Sequence, residues 1–340
     1  MIIALVFIMP GLKAEELIAR SGGRYISSRI ELVAEASDNT TIEIQSASGL
    51  RGRIEITVED GDRAGFEYRK LIKAGDEKTA QEYAGEIDVA FEDRAGIIRL
   101  LLKAPNPEPW SGTDNTVQIE GKLTIPTGCR VGIDGPYFDF AISGPMKELI
   151  CKPSFGRYVL NDIDGKINMN MTGGNVNGRN IGGDINIKGE NSEIRISGLS
   201  ASKQAQIENQ GGDITLYGLS GNVEVKNSYG KIKIENATAD NGRLNINGEF
   251  CPIDLGLISL INAHVSIDNE NDNVKIFLPD TSSVVFNLSV GVDSEINVTD
   301  IPVRPGRIEP KFMELTAGDG NSVINADING VGDITVTGMR

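Results

Sequence analysis

The most constraining feature of this sequence is a short phrase that recurs along its second half: a glycine, a polar residue, an aliphatic residue, a second polar residue and a second aliphatic residue. It stands at Gly165–Met169, Gly183–Ile187, Gly212–Leu216, Gly221–Val225, Gly230–Ile234, Gly242–Ile246 and Gly332–Val336. The glycines at 165, 174 and 183 are nine residues apart, and so are those at 212, 221 and 230. A fixed short period of strand and turn predicts a solenoid, with two strands and two turns in a coil of about 18–22 residues.

Apolar residues occupy every second position of the phrase, which predicts strands with one buried and one wet face. That pattern excludes a doubly wound sheet buried on both faces. We therefore predict an all-β fold, a parallel β-solenoid (single-stranded β-helix), preceded by an irregular β region. The side chains predicted to point inward are those of Ile185, Ile187, Ile214, Leu216, Val223, Val225, Ile232 and Ile234.

Three segments follow from composition: an export signal at residues 1–14, an N-terminal β region at 15–116 and the solenoid at 117–340. Ile2–Met9 is an unbroken apolar run closed by Pro10-Gly11 and followed by Ala14. This resembles the h-region and cleavage end of an export signal, although a buried first strand is the alternative. The run is too short for a stable transmembrane span, which needs about 20 residues. Pro105–Asn115 reads as a linker or exposed loop, whose Trp110 we expect to cap a core.

The net charge of the chain argues against some classes of binding partner. Lys and Arg number 33 and Asp and Glu 48, giving a formal charge of −15. Such a charge argues against nucleic acid and against anionic membrane surfaces. It leaves room for cation binding, and calcium is the metal considered, because Asp184, Asp213 and Asp319 follow glycines in turns. Turn chemistry explains these residues without metal, so we assign no metal site and no cofactor.

Little in the sequence supports catalysis. His264 is the only histidine and stands in a polar slot of a strand, so we expect it at the surface. The carboxylate pairs Asp162/Asp164 and Asp268/Glu270 have the i, i+2 spacing that shares a face of a strand, but 48 acidic residues make such pairs frequent. A carbohydrate-active β-helix enzyme, a polysaccharide lyase or hydrolase, is the alternative to a non-enzymatic scaffold.

Two smaller patterns concern the interior. Cys129 and Cys151 are about one coil apart and could pair across the ~4.8 Å strand spacing, while buried thiols at Cys129, Cys151 and Cys251 are the simpler expectation. Asparagines follow several strands at similar spacing and are expected to stack as a structural ladder. They are Asn209, Asn227, Asn236, Asn247 and Asn269.

The repeats resemble a family of bacterial envelope proteins of unknown function, often labelled putative adhesins, which are built on a parallel β-solenoid. The resemblance extends from about Tyr25 to Arg340 and includes Leu123–Gly128 and Leu278-Pro279. It implies an architecture and no catalytic or binding residues. The sequence departs from the repeat at residues 137–158, which are rich in Phe, Tyr and Pro, and in the long gap at 246–265.

We therefore expect an exported scaffold, periplasmic or at the cell surface, that presents a binding surface or assembles. The expected partners are copies of itself or components of the envelope, with glycans as a further class. Because the repeat at Gly332–Val336 ends four residues before the C-terminus, its strand is predicted to be an open edge. An open edge joins copies of the chain.

Overall fold

The computed structural model describes residues 16–94 and 96–340, so the predicted export signal at residues 1–14 lies outside the described residues. Residues 17–126 form β1 (Leu17–Arg20), β2 (Arg24–Ser27), β3 (Ile30–Glu35), β4 (Thr41–Ser46), β5 (Arg51–Glu59), β6 (Arg63–Lys73), α1 (Glu77–Gly85), β7 (Asp88–Arg94), β8 (Ile97–Lys103) and β9 (Thr116–Pro126). The next six strands are β10 (Arg130–Asp134), β11 (Phe138–Ser143), β12 (Glu148–Ser154), β13 (Arg157–Met171), β14 (Asn175–Glu190) and β15 (Glu193–Gln210).

Shorter strands complete the chain. Seven of them are β16 (Ile214–Ser220), β17 (Val223–Ser228), β18 (Ile232–Thr238), β19 (Arg243–Glu249), β20 (Ile253–Ser259), β21 (His264–Glu270) and β22 (Val274–Pro279). The last six are β23 (Val284–Val290), β24 (Ile296–Thr299), β25 (Val303–Glu309), β26 (Phe312–Ala317), β27 (Ser322–Asn329) and β28 (Ile334–Met339).

Parallel pairing stacks these strands into two walls, and each coil gives one strand to each wall. Wall A contains, in stacking order, β8, β4, β10, β12, the C-terminal parts of β13, β14 and β15, then β17, β19, β21, β27 and β23. Wall B contains β9, β5, β11, the N-terminal parts of β13, β14 and β15, then β16, β18, β20, β22, β28 and β24. The predicted parallel β-solenoid is confirmed.

The register confirms the predicted coil length. Arg157 pairs with Asn175 and Val223 pairs with Leu244, which makes coils of 18 and 21 residues. All eight side chains predicted to point inward are buried. They belong to one continuous hydrophobic cluster, to which both walls contribute. Alternation of β-branched and polar residues thus positions the core, because adjacent side chains in a strand point to opposite faces.

At both ends of the stack, the order of the coils differs from their order in the chain. The coil of β4 and β5 lies between the coil of β8 and β9 and the coil of β10 and β11. Residues 41–59 of the predicted N-terminal β region thus form part of the solenoid stack. At the other end, the coil of β27 and β28 lies between the coil of β21 and β22 and the coil of β23 and β24.

The prediction of an open C-terminal edge is therefore wrong. The strand β28 pairs with β22 on one side and with β24 on the other, and both Ile334 and Val336 are fully buried. Nothing in the repeat phrase distinguishes a last coil from an inserted coil, because the phrase specifies only a strand that can stack. At this end, β26 pairs antiparallel with β23 and covers the wall A edge, while the short β24 is the last strand of wall B.

Antiparallel strands cover the N-terminal end. The strand β6 pairs with β9, β7 pairs with β8, and β2 and β3 pair with β6. The helix α1 packs here and is capped by Asp76, whose side chain accepts a hydrogen bond from the Thr79 amide. The buried ammonium of Lys70 donates to the carbonyl oxygens of Ala84 and Ile87 at 2.8 and 3.0 Å. A cation at this position stabilises the C-terminal end of the helix. As predicted, Trp110 packs at the end of the core, against Tyr83.

The asparagine ladder forms in part. Register places Asn209 beside Asn227, while Asn269 occupies the equivalent position two coils further on, beyond Gly248. These three side chains are buried, and each Nδ2 donates to a backbone carbonyl, at 2.8 Å from Asn209 to Ser192 and from Asn227 to Gly212. The prediction is wrong for Asn236, which has a positive φ at another turn, and for Asn247, which pairs with Lys226.

Candidate functional surface

The outward faces of the walls carry charges that neutralise one another across adjacent coils. Arg99 Nε lies 2.9 Å from Glu43 Oε2, and Lys166 Nζ lies 3.0 Å from Glu148 Oε1. Further along wall A, Glu208 lies between two lysines of neighbouring coils. Exposed pairs of this kind each contribute about 0–1 kcal/mol, so they define a polar, evenly charged wall more than they stabilise it.

Polar residues in the turns, or beside them at the start of a strand, connect one coil to the next. The Oδ1 atoms of Asp139 and Asp213 accept from the amides of Arg157 and Lys231, at 2.8 and 3.0 Å. Asn222 does the same for Arg243, at 3.1 Å. An acceptor at these positions satisfies a backbone donor that the turn would otherwise leave unpaired. Aspartate and asparagine in the turns therefore have a structural role.

The three calcium candidates lie in three different places. Asp184 is on wall A beside Lys166, Asp213 is in a turn that leads to wall B, and Asp319 is in the turn before β27. The amide of Asp319 donates to Ser283 Oγ at 3.0 Å. Among residues 16–94 and 96–340, no group of three or more His, Cys, Asp or Glu side chains is placed to hold a metal ion.

The cysteines are buried free thiols. Register places Cys151 beside Ile133 and Met169, not beside Cys129, so the two sulfur atoms are not stacked. Burial raises the pKa of Cys129 and of Cys251 to about 11, and it raises the pKa of Cys151 as well. At neutral pH these side chains are protonated, and a protonated thiol is a poor nucleophile and metal ligand.

The histidine and the carboxylate pairs considered for catalysis lie at the surface. His264 is exposed on β21, as expected, and Asp268 and Glu270 point outward from the same strand. Asp162 has a positive φ and accepts a hydrogen bond from Asn180 at 2.7 Å. Asp162 and Asp164 are both exposed, on either side of the buried Ile163, as the strand spacing predicts.

The turn that leads from wall A to wall B in each coil is here called the A–B corner. In successive coils its outermost position is occupied by Tyr137, Phe155, Gly173, Asn191, Gly211, Tyr229, Phe250 and Asn271. Backbone hydrogen bonds connect the column: the amide of Tyr229 donates to Glu249 at 3.0 Å and that of Phe250 donates to Glu270 at 2.8 Å. Among the described residues, four of the five aromatic side chains that are highly exposed lie on this corner. The exposed aromatic residues are Tyr137, Phe155, Tyr217, Tyr229 and Phe250.

Tyr229 and Phe250 adopt a backbone conformation that bulky residues rarely adopt. Their φ values are +58° and +50°, in the left-handed region where the same column elsewhere has Asn191 at +52° and Gly211 at +75°. An L-residue other than glycine or asparagine costs about 1–2 kcal/mol in this region. The rings stack at 5.6 Å between centroids and 8° between planes, and a ring pair contributes about 0.5–1.5 kcal/mol. The stack offsets part of the strain of the two residues.

The other aromatic pair on the corner is covered by a cation at one end. Tyr137 and Phe155 stack at 5.5 Å and 12°. The guanidinium of Arg51 lies over the Tyr137 ring, 5.6 Å from its centroid. A methyl group added at Gly173 would lie 3.2 Å from the Phe155 ring. This stack therefore has Arg51 at its Tyr137 end and the glycine of the next coil at its Phe155 end, and neither aromatic residue has a positive φ.

Partial signals for this corner are visible in the sequence. Tyr137 and Phe155 lie in the aromatic-rich departure at 137–158, and Phe250 lies in the gap at 246–265. Tyr229 precedes the repeat glycine at 230, and the same slot one coil earlier, before the repeat glycine at 212, holds Gly211. A bulky aromatic residue in a slot that favours glycine or asparagine is a signal that composition alone does not reveal.

A second surface feature lies at the N-terminal end. A shallow depression of about 510 Å³ is lined by Arg20, Arg24, Arg69 and Lys73 and by no acidic residue. Arg69 forms an ion pair with Glu120 at 2.6 Å. In a chain of net charge −15, this is a local concentration of positive charge.

Residues 162–283 match the family model of Toastrack DUF4097. The predicted resemblance to a β-solenoid family is confirmed over these residues. No curated protein matches the chain.

Solved structures similar to this chain include a putative cell adhesion protein from Clostridium sporogenes, with 12% identity and a TM-score of 0.22, covering 92% of this chain and 100% of that chain. A putative adhesin from Bacteroides fragilis has 13% identity and a TM-score of 0.35, covering 91% and 97%. A putative lipid binding protein from Parabacteroides distasonis has 12% identity and a TM-score of 0.31, covering 92% and 97%. At these TM-scores the likeness carries no conclusion for this chain.

Proposed function

We propose that this protein is an exported, non-catalytic β-solenoid scaffold of the cell envelope, whose task is to hold a binding surface in an adhesin-like manner. The observation that carries the proposal is the concentration of exposed aromatic residues on the A–B corner. A stack of coils repeats one corner at the strand spacing of about 4.8 Å, so it displays side chains in a fixed line.

The walls support this role. Their charges are paired between coils, as between Lys188 and Glu208 at 3.0 Å and between Lys226 and Glu208 at 3.7 Å. Lys226 also donates to Glu224 and lowers the pKa of that carboxyl. Such walls favour solubility and rigidity, whereas the corner concentrates four of the five highly exposed aromatic side chains of the described residues. The interaction surfaces of proteins are often marked by such exposed apolar area.

Export remains part of the proposal, supported by the apolar run at residues 2–9. Among the described residues, no helix is long and apolar enough to span a membrane. Envelope components, glycans among them, are the proposed partners. We no longer propose that the C-terminal strand joins copies of the chain, because β28 is paired on both sides.

Fractionation of the native host tests the proposal. We expect the mature chain, beginning near Glu15, outside the cytoplasm, and we expect the purified mature protein to bind isolated envelopes in a saturable manner without degrading their polysaccharides. A cytosolic product that retains Met1 would overturn the assignment to the envelope. Release of new reducing ends from envelope polysaccharide by the purified protein would overturn the non-catalytic role.

A further inference from the structure

We infer that the A–B corner carries a carbohydrate-binding subsite, in which one sugar ring stacks on the face of Tyr229 that is turned toward Gly211 and Asn191. The inference rests on the proposed function, since it names the ligand class of the surface that the scaffold displays. It predicts a neutral glycan as the occupant.

The side chains of the corner lean toward the next coil in one direction. Phe155 leans over Gly173, where an added methyl group would lie 3.2 Å from the ring. Asn191 leans over Gly211, and an added methyl group there would lie 2.6 Å from Asn191 Oδ1. Further along, Asn271 Oδ1 accepts from the Val331 amide at 3.1 Å. The ring of Tyr229 is stacked with Phe250, the residue of the coil that follows.

This direction turns the other face of the Tyr229 ring toward the preceding coil. The preceding coil has Gly211 at the equivalent position, and Gly211 has no side chain to cover the ring. A methyl group added at Gly211 would meet Asn191 and no atom of Tyr229 within 4 Å among its nearest neighbours. On this side of Tyr229, the nearest side chain of the column is therefore that of Asn191, two coils away, which leans over Gly211.

The strain at Tyr229 and Phe250 is not repaid by core packing. Both side chains are exposed, Tyr229 at 58% and Phe250 at 48%. The same column folds elsewhere with Asn191 or Gly211, which adopt a positive φ at lower cost. Local strain of this kind is characteristic of functional positions. Here the strained backbone holds two aromatic rings at the surface, stacked one behind the other along the solenoid axis.

The surroundings of the rings favour a sugar over an apolar protein anchor. Asn191 and the exposed Gln210 offer hydrogen-bonding groups on the coils that precede Tyr229, and Asn271 follows Phe250 in the column. A sugar ring has a C–H face that stacks on an aromatic ring and a rim of hydroxyl groups that need donors and acceptors. Glu190 and Glu249 precede corner residues of the same region, so a neutral sugar is favoured over an anionic one.

Binding of neutral oligosaccharides to the mature protein tests the inference. The probes are cellohexaose, chitohexaose and an array of neutral oligosaccharides, with titration calorimetry for any probe that binds. The test variant replaces both rings, Tyr229→Asn with Phe250→Asn, because loss of Tyr229 alone would uncover Phe250 as a substitute platform. Asparagine suits the positive φ of both positions, so the variant is expected to fold.

The control is Tyr217→Ala, because Tyr217 is a similarly exposed aromatic residue, at 52%, that lies outside the corner. We expect a neutral probe to bind the wild type, the double variant to lose about tenfold or more in affinity, and the control to bind within about twofold of the wild type. Thermal unfolding of all three proteins shows that they are folded.

Three outcomes would overturn the inference: no neutral probe binds, the double variant binds as well as the wild type, or the control loses as much affinity as the double variant. Concentration-dependent association of the wild type that the double variant lacks, without glycan binding, would instead assign the corner to contacts between copies. Saturable envelope binding that persists in the double variant would leave the proposed function standing while the subsite fails.

Discussion

The middle of the solenoid and its two ends are built from the same coils but are connected differently. In residues 157–279 each coil stacks on the one before it in the sequence, as Val223 does on Ala205 and Leu244 does on Val223. At the ends, residues 41–59 and 322–339 are inserted between coils that lie elsewhere in the chain. Local contacts therefore hold the middle, and contacts between distant segments hold the ends.

This difference bears on how a repeat protein avoids open edges. A coil in the middle has neighbours on both sides, whereas a terminal coil leaves unpaired N–H and C=O groups that pair with other chains. Here the C-terminal strand is inserted inside the stack, and β26 covers β23 with antiparallel pairing. Because this last segment lies between two coils, its loss would expose the strand edges of both neighbouring coils.

We expect the largest effect on stability from deleting the inserted coil at the end, compared with deleting one coil of the middle. Removal of residues 322–340 takes out β27 and β28 and uncovers β21, β22, β23 and β24. We expect this variant to lose its cooperative urea transition or to aggregate. The control removes residues 175–192, one whole coil of the middle, because Asn175 and Glu193 occupy equivalent positions in adjacent coils.

The control deletion should fold, with a smaller m value because less surface is exposed on unfolding. Circular dichroism during urea titration measures both proteins. Equal loss of structure in the two deletions would show that insertion gives the end no special importance.

A buried charge should be equally damaging in the middle and in the inserted coil. Ile232 and Ile334 are both fully buried, so Ile232→Asp and Ile334→Asp should each lower the free energy of unfolding by about 3 kcal/mol or more. As controls, Ile232→Val and Ile334→Val should cost about 1 kcal/mol each. If Ile334→Asp left the free energy of unfolding unchanged, the last strand would be an open edge, as the repeat phrase predicts. Chemical denaturation measures the four variants.

Replacing a buried asparagine of the ladder should have an intermediate effect on the free energy of unfolding. Asn227 Nδ2 donates to the carbonyls of Gly212 and Lys231, at 2.8 and 3.3 Å. Replacement by alanine leaves these carbonyls without their side-chain donor, and we expect Asn227→Ala to lower the free energy of unfolding by about 1–3 kcal/mol. Asn247→Ala, on the wall of the next coil, should change it by less than about 0.5 kcal/mol. Chemical denaturation measures both variants. Equal free energies of unfolding for Asn227→Ala and Asn247→Ala would show that the asparagine ladder has no role in stability.

The smallest expected effect concerns the strained corner. Tyr229→Asn relieves the cost of a positive φ and loses the ring stack, so the free energy of unfolding should stay the same or rise by up to about 1 kcal/mol. Tyr229→Ala loses the stack and keeps the strain, so it should be the less stable of the two. Thermal unfolding compares them. A Tyr229→Asn variant less stable than Tyr229→Ala would show that the φ of this residue carries no strain.

The sequence predicts the middle of this protein well and its ends poorly, for a physical reason. Alternation at Ile185, Ile187, Ile232 and Ile234 specifies which face is buried, and the glycine period specifies the coil. Neither specifies which coil is the neighbour of another, because every phrase offers a similar stacking surface. The position of Ile334 between two coils depends on the length and path of the segments around it.

The corner illustrates the same limit at the level of a site. The aromatic residue before Gly230 is visible in the sequence as a break in a glycine slot. Its contact with Phe250 requires the register of β17 and β19, which is 21 residues at this point and 18 residues in other coils. A single turn position therefore signals strain, and only the stack of coils shows that two strained positions form one surface.

Cysteine cross-linking tests the inserted end most directly. Thr335 pairs with Lys275 on one side and with Asn297 on the other, at the strand spacing of about 4.8 Å that a disulfide accepts. Cysteines at 275 and 335, and at 297 and 335, should cross-link within one chain. Cysteines at 275 and 297 are two strands apart, about 10 Å, and should not. A cross-link between 275 and 297, with none to 335, would show that the coils follow the chain and would contradict the account.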